Sequence, residues 1–120
     1  MDHRTTLSEL RELALRFRDE RNWAQFHDPK NLAAGLAIEA AELQELFLWK
    51  KPEEIAAMLE SESGARRARE EIADILIFVL YLSHAFGVDL ADAMREKLEA
   101  NAAKYPVEKC FGRHSKYDEL

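Results

Sequence analysis

Apolar positions recur every three or four residues along most of this chain, which is the spacing of amphipathic α-helices. The first such segment runs from about residue 7 to residue 21. Thr6 and Glu9 form a capping box at its start, because each side chain can bind the other residue's backbone N–H. Residues 22–30 interrupt the pattern and contain a proline, so they are predicted to form a loop.

A second helix is predicted from Asn31 to Trp49, where the Lys51-Pro52 pair stops it. Pro52 suits the first turn of a short helix that ends near Leu59. Residues 61–64, Ser-Glu-Ser-Gly, are interpreted as a polar linker.

The third long helix is predicted from Ala65 to about Phe86 and contains the most hydrophobic run of the chain, ILIFVLYL at 75–82. This run is apolar nearly all round the helix, which predicts burial on more than one side. Gly87 is expected just past its end, and Asp89 is expected to cap a fourth helix that stops at residues 104–106.

Composition supports an all-α fold, because Ala, Leu and Glu dominate while the β-branched residues are few. Short links between helices predict an antiparallel four-helix bundle. The 120 residues fit a single domain spanning residues 1–120, with 107–120 as a polar C-terminal tail that needs a docking surface to be ordered. Since one chain of this length buries only a modest core, the apolar third helix predicts an oligomer.

Charge and cysteine content exclude several classes of function. The net charge of −6 argues against nucleic acid as a partner. No apolar run reaches the roughly 20 residues that span a bilayer, so no membrane partner is expected. The N-terminus lacks the apolar core of a secretory signal, which predicts a cytoplasmic protein. The single Cys110 excludes an internal disulfide and a cysteine-based zinc site.

Two carboxylate pairs lie in unusually apolar surroundings. Glu39 and Glu42 belong to a helix made mostly of Ala and Leu, and Glu71 and Asp74 lead directly into the run at 75–82. Residues three apart share one face of a helix, so two facing helices would bring four carboxylates together. Such a cluster needs counter-charge, and its all-oxygen ligand set without His favours Mg²⁺ or Mn²⁺.

The same Glu-x-x-Glu or Glu-x-x-Asp spacing occurs elsewhere in the chain, so ordinary solvated glutamates remain an alternative explanation of both pairs. Lys97 and Asn101 share a face of the fourth helix, where a cation beside an amide could bind phosphate or simply face solvent. Four further unusual residues could close the bundle or form a stacking slot for a planar base. They are Trp23, Phe26, His27 and Trp49.

Taken together, these motifs resemble the Glu-x-x-Glu…Glu-x-x-Asp signature of the MazG-like, all-α nucleoside triphosphate pyrophosphohydrolases. The resemblance extends from about Leu7 to Leu120 and is strongest to the dCTP pyrophosphatase branch. Three segments carry it beside the carboxylates, namely RNWAQFHDPKNLAAGLAIEAAELQELFLWK, EEIADILIFVLYL, and KLEANAAKYP with SKYDEL. It implies Mg²⁺-dependent hydrolysis of a nucleoside triphosphate, dCTP or a related pyrimidine or modified nucleotide, to monophosphate and pyrophosphate. It also implies a homotetramer assembled as a dimer of dimers.

The resemblance assigns roles by position. Glu39, Glu42, Glu71 and Asp74 would be catalytic and metal-binding residues. Phe78 would be a substrate-binding position. The others would be Trp23, Phe26, His27 and Trp49 for the base and sugar, and Lys97, Asn101 and Tyr105 for the phosphates. Two positions depart from the vertebrate pattern, since Ala14 replaces a substrate-contacting His and Phe78 replaces a Tyr. The metal chemistry is unaffected by these changes, whereas the base and sugar preference is open.

Two other functions compete with this interpretation. A non-catalytic helical module could use the apolar surface of the bundle to bind a protein partner. A metal-storage or redox bundle is a third possibility, but it would be expected to place a ligating His near one of the carboxylate pairs.

Overall fold

Helices account for every regular element of the chain in a computed structural model that describes residues 1–120. The helices are α1 (Leu7–Glu20), α2 (Pro29–Glu45), α3 (Pro52–Glu60), α4 (Glu62–Phe86), α5 (Leu90–Lys104) and α6 (Val107–Cys110), with 3₁₀ turns at Ala24–Phe26 and Tyr117–Glu119. The all-α prediction is therefore confirmed. No single helix is both long and apolar enough to cross a bilayer. Helices α4 and α5 reach that length and hydropathy only when the two are counted together across the break between them.

The chain forms two compact units, Met1–Gly87 and Val88–Leu120. The first contains α1 to α4, and the second contains α5, α6 and the C-terminal residues. The sequence-based assignment of one domain over residues 1–120 stays a prediction.

Helix α1 begins and ends with recognisable caps. The capping box is confirmed, because the Thr6 hydroxyl accepts from the Glu9 N–H at 3.1 Å and the Glu9 carboxylate accepts from the Thr6 N–H at 3.0 Å. At the other end Asn22 adopts a left-handed conformation, and the Trp23 N–H donates to the Arg18 carbonyl. This is a Schellman ending, and its customary apolar contact is the edge-to-face pair of Phe17 and Trp23. The helix ending thus fixes the position of Trp23.

Helix α2 is displaced towards the N-terminus relative to its predicted range of Asn31 to Trp49. It starts at Pro29, because Asp28 accepts a hydrogen bond from the Asn31 N–H at 2.8 Å and proline suits the first helical position. It ends at Glu45, and the four residues that follow form a turn that places Trp49 in the left-handed region at φ 65°.

The prediction of a linker at residues 61–64 is wrong. Ser61 is the N-cap of α4, and its hydroxyl accepts from the Gly64 N–H at 3.1 Å. Residues 62–64 form the first turn of the helix. A Cβ at position 64 would lie 2.7 Å from the Met58 Cγ, so glycine permits the tight approach of α3 to α4. The expected end at Gly87, in the left-handed region, is confirmed.

Helix α4 is the centre of the first unit, and α1, α2 and α3 all pack against it. Arg11 donates to Ser83 and the Tyr81 hydroxyl donates to the Ala14 carbonyl, so residue numbers rise along α1 as they fall along α4. The same reversal holds between α2 and α4, where Gly35 adjoins Phe78 and Glu39 adjoins Glu71. Both helices therefore run antiparallel to α4.

Gly35 allows the close approach of α2 to α4. A Cβ at this position would lie 2.6 Å from the Phe78 Cζ, which is closer than packed atoms tolerate. We expect Gly35→Ala to lower the free energy of unfolding by about 2 kcal/mol, since overpacking outweighs the gain in helix propensity. Denaturant melts measure the effect. Adding Phe78→Leu should restore part of the loss, and a Gly35→Ala variant as stable as the parent would contradict the close contact.

The first unit leaves much of its apolar surface uncovered. Only six hydrophobic residues of the chain are buried, and Leu32 and Leu80, each 2% exposed, are the most enclosed. On α4, Ile72 is 57% exposed, and on α1 Leu13 is 56% exposed. These exposures are consistent with the prediction that the apolar surface of α4 is too large for one chain to bury.

In the second unit, Asp89 caps α5 by accepting from the Asp92 N–H at 2.9 Å, as predicted. The helix ends at Lys104, followed by Tyr105 and Pro106. Residues 107–120, interpreted from sequence as a polar tail, contain the short α6 and the 3₁₀ turn at Tyr117–Glu119. The tail thus has local structure of its own.

Candidate active site

Three of the four predicted carboxylates meet where α2 crosses α4. One oxygen from each of Glu39, Glu42 and Glu71 lies within 4.8 Å of the others. Glu39 and Glu42 are one turn apart on α2, and Glu71 faces them from α4 because the two helices run antiparallel. Asp74 follows one turn after Glu71 on α4, and its charge acts on both Glu39 and Glu71.

The cluster is electrostatically strained in the absence of a cation. Burial raises the pKa of Glu39 to about 7, and the adjacent Glu42 carboxyl contributes next, followed by Asp74 and Glu71. The pKa of Glu71 is also raised, first by burial and then by the negative charge of Glu42. Carboxyl groups that repel one another in this way hold protons that solvated glutamates would release.

The donor set fits a hard divalent cation. Oε2 of Glu39 and Oε2 of Glu71 are each buried without a hydrogen-bond partner, so both have lone pairs that a cation could satisfy. All the grouped ligands are carboxylate oxygens, which Mg²⁺ and Mn²⁺ prefer. The cluster is compatible with the metal-binding interpretation, and the assignment of these residues as metal ligands stays a prediction.

A cavity of about 640 Å³ reaches Asp74 and is bounded by α1, the loop after it and α4. Its lining is mainly aliphatic and aromatic, and Asp74 is the one acidic residue in it. Trp23, His27 and Phe78, all predicted from sequence to contact substrate, line this cavity. Its volume lies within the range of small-molecule sites in proteins.

His27 is the polar side chain that the loop contributes to the cavity. Its Nδ1 is buried without a hydrogen-bond partner, and its ring meets Tyr81 edge-on with centroids 4.6 Å apart. Burial lowers the pKa of His27 and the nearby positive charge of Arg18 lowers it further, so the neutral imidazole is favoured at pH 7. Nδ1 is thus available for one hydrogen bond to a ligand.

The remaining predicted contacts lie elsewhere. Phe26 and Trp49 are 59% and 91% exposed and do not line the cavity. Trp49 therefore does not close the interior of its own chain, which was one of its two sequence interpretations. Lys97, Asn101 and Tyr105 belong to the second unit, on α5 and at its end.

Sequence reasoning missed Tyr81 and Gly35. Tyr81 is 6% exposed, lines the cavity and anchors α1 through its hydroxyl bond of 3.0 Å to the Ala14 carbonyl. Tyr81 lies within the hydrophobic run at 75–82, so nothing in the sequence distinguished it from a core residue. Gly35 did carry a signal, because an isolated glycine inside a helical pattern indicates close backbone approach.

Comparison with protein families adds an independent observation. The model of the MazG-like family matches residues 35–120, which include all four predicted metal-binding carboxylates. The matched range also spans the aromatic Trp49 and the segment from Lys97 to Tyr105.

Similar proteins are found among characterised proteins and solved structures. Over 115 residues the chain is 40% identical to dCTP pyrophosphatase 1 of Bos taurus and 37% identical to that of Homo sapiens, covering 96% of this chain and 68% of each relative. The crystal structure of a pyrophosphatase from Archaeoglobus fulgidus superimposes with a TM-score of 0.76 at 40% identity, covering 83% of this chain and 92% of the other.

Proposed function

This chain belongs to the MazG-like family, and on that basis we propose that it is a nucleoside triphosphate pyrophosphohydrolase. The observation that carries the proposal is the cluster of Glu39, Glu42 and Glu71, which continues through Asp74 into an apolar cavity. A charged end and an apolar end in one site match the two ends of a nucleotide. The relatives named dCTP pyrophosphatase favour dCTP or a related pyrimidine or modified nucleotide as substrate.

The carboxylates are proposed to hold Mg²⁺, for which Mn²⁺ could substitute. When bound, such a cation neutralises the charge of the triphosphate and polarises the attacking water. Glu39 and Glu42 would hold the cation from α2, and Glu71 and Asp74 would hold it from α4. The buried and unpartnered Oε2 atoms of Glu39 and Glu71 give these two residues a reason to bind a cation that exposed glutamates lack.

The reaction breaks the bond between the α-phosphorus and the oxygen that bridges to the β-phosphorus. Water adds to the α-phosphorus, a carboxylate of the cluster accepts its proton, and pyrophosphate leaves as the monophosphate forms. All four carboxylates are candidates for the proton acceptor. Lys97, Asn101 and Tyr105 are proposed to bind the phosphates, as the family resemblance implies.

The cavity is proposed to receive the base. Trp23 offers an aromatic face, and the free Nδ1 of His27 can bind a polar edge. Ala14 and Phe78 line the cavity without the imidazole and the hydroxyl that the vertebrate pattern has at these positions. Recognition in this site therefore depends more on stacking and shape than on hydrogen bonds.

Pyrophosphate release is the direct test of the proposed function. A panel of canonical, oxidised and methylated triphosphates with Mg²⁺ should yield monophosphate and pyrophosphate in equal amounts from at least one member. Removing Mg²⁺ with a chelator should abolish the reaction. Release of inorganic phosphate in place of pyrophosphate, or no turnover of any triphosphate, would refute the proposal.

Trp49 provides a prediction about substrate binding. It is 91% exposed and holds a left-handed backbone, a conformation that costs a non-glycine residue about 1–2 kcal/mol. We expect Trp49→Gly to keep or raise the parent melting temperature. The value of kcat/KM should fall about 5- to 150-fold if the base also stacks on the Trp49 ring, and should not change if the base contacts only the cavity lined by Trp23. Lys50→Ala, in the same turn, is the matched control. A destabilised variant with unchanged substrate selectivity would contradict a role for Trp49 in binding.

The assembly is proposed to be a homotetramer arranged as a dimer of dimers. Its support is the uncovered apolar surface of the first unit away from the cavity, where Ile38 on α2 and Ile72 on α4 are 58% and 57% exposed. Light scattering at micromolar concentration should detect no monomer. A stable monomer without Mg²⁺-induced stabilisation would instead favour the non-catalytic interaction module.

A further inference from the structure

The C-terminal segment of the second unit, residues 107–120, contacts the end of α5 through the ring of Tyr117. Tyr117 meets Tyr105 edge-on, with centroids 6.2 Å apart and planes at 88°. On the same ring, the Lys104 Nζ lies 4.9 Å from the centroid, a cation–π contact. One aromatic ring near the C-terminus therefore contacts two consecutive side chains of the segment proposed to bind phosphates.

The local backbone explains why Lys104 and Tyr105 are the residues contacted. The Tyr105 N–H donates to the Asn101 carbonyl at 2.8 Å, which completes the last helical hydrogen bond before the chain leaves α5. Lys97, Asn101 and Lys104 follow at steps of four and three, so they share a face of the helix. Tyr117 begins the 3₁₀ turn at Tyr117–Glu119, which returns the chain to the helix end.

The type of contact matters for the chemistry of Lys104. A cation–π contact leaves the N–H donors on the side of the ammonium away from the ring available and keeps its positive charge, whereas an ion pair with a carboxylate would offset that charge. No carboxylate of the second unit forms an ion pair with Lys104. A lysine also loses rotamer freedom when it is fixed, so prior fixation favours ligand binding.

We propose that Tyr117 is a positioning residue that holds Lys104 and Tyr105 in the orientation that binds the substrate's phosphates. This inference rests on the proposed hydrolysis of nucleoside triphosphates. It gives the C-terminal segment a function in substrate binding, and it adds Lys104 to the residues that contact phosphate. Tyr117 acts through these two neighbours and needs no contact with the substrate itself.

Steady-state kinetics of the full chain with its preferred triphosphate test the proposal. Tyr117→Ala should raise KM about three- to tenfold, as expected for losing an aromatic pair and a cation–π contact. The values of kcat, the half-saturating Mg²⁺ concentration and the melting temperature should stay close to those of the parent. Tyr117→Phe keeps the ring and should restore the parent KM. Phe111→Ala is the matched control, because Phe111 is 87% exposed in the same segment.

A double-mutant cycle tests whether Tyr117 affects KM through Lys104. In a Lys104→Ala background, Tyr117→Ala should raise KM by a smaller factor than in the parent, since one of its two contacts is already lost. Equal factors in both backgrounds would overturn the positioning role through Lys104. An unchanged KM in Tyr117→Ala, or a loss of kcat and melting temperature without a change in KM, would overturn the proposal as a whole.

The parent enzyme separates this failure from a failure of the proposed function. If the parent releases pyrophosphate and Tyr117→Ala keeps its KM, only the role of Tyr117 is wrong. If the parent releases none from any triphosphate, the proposed function fails and this inference fails with it.

Discussion

Replacing Glu42 by Gln is expected to lower kcat/KM by about a thousandfold or more, equivalent to about 4 kcal/mol of transition-state stabilisation. The substitution keeps the size of the side chain but removes one negative charge from a group whose oxygens lie within 4.8 Å of each other. A cation site that loses a charged ligand binds its ion more weakly and presents less charge to the phosphates. Asp74→Asn is expected to act in the same direction.

The fold should survive this substitution. Glu42 contributes to the raised pKa values of Glu39 and Glu71, so removing its charge relieves repulsion and should make the cation-free protein slightly more stable. Glu45→Gln, one turn later on α2 and outside the cluster, is the matched control and should keep the parent activity. Turnover by Glu42→Gln within about tenfold of the parent at saturating Mg²⁺ would show that Glu42 is not an essential ligand.

The second large effect that we expect is a fall in the stability of the cation-free protein as the pH rises, which Mg²⁺ should offset. The pKa of Glu39 is about 7 in the folded chain against an ordinary value of 4.5. A carboxyl whose pKa is raised on folding contributes stability that is complete below pH 4.5 and is lost as the pH rises through 7. We therefore expect the melting temperature of the cation-free protein to fall between pH 5 and pH 8.

Mg²⁺ binding should stabilise the protein most at pH values at which the carboxyls are ionised. At a free Mg²⁺ concentration 100-fold above Kd, binding adds about 2.7 kcal/mol for each ion bound. The increase in melting temperature caused by Mg²⁺ should thus be large at pH 8 and small at pH 5, as a thermal-shift titration at both values would measure. Glu39→Gln should flatten the dependence on pH and weaken the Mg²⁺ effect. An Mg²⁺ effect of equal size at both pH values would argue against a site made of these groups.

Helix positions followed from the sequence wherever side-chain chemistry marked an end. The Thr6–Glu9 box, Asp89 and Gly87 each mark one boundary, because the residue that satisfies the free backbone groups is itself recognisable. Serine was ambiguous, since Ser61 suits both a linker and an N-cap, and the structure uses it as a cap. The second helix was predicted to continue to Trp49 because the Lys51-Pro52 pair stops it, and that signal cannot indicate that the backbone turns left-handed at Trp49.

The candidate site was predictable in its charged part and not in its apolar part. Carboxylates within an apolar helix are conspicuous because each requires a counter-charge, so Glu39 and Glu71 could be paired before their helices were placed. The cavity depends instead on how far α1 stands from α4 and on where the Schellman turn directs Trp23. Those are properties of packing between distant segments, and Tyr81 in the hydrophobic run resembles any other core residue until its hydroxyl meets the Ala14 carbonyl.

The contact between Gly35 and Phe78 has a consequence for ion selectivity. Gly35 lies one turn before Glu39 on α2, and Phe78 lies one turn after Asp74 on α4, so the thickness of one aromatic ring sets the spacing of the helices beside the carboxylates. Mg²⁺ requires ligand oxygens at about 2.1 Å, whereas Ca²⁺ accepts about 2.3–2.6 Å and a looser geometry. In the proposed metal site, the side chains at positions 35 and 78 would therefore influence which ionic radius the carboxylates accept. A bulkier pair would widen the gap and favour the larger ion, although neither residue offers a ligand atom.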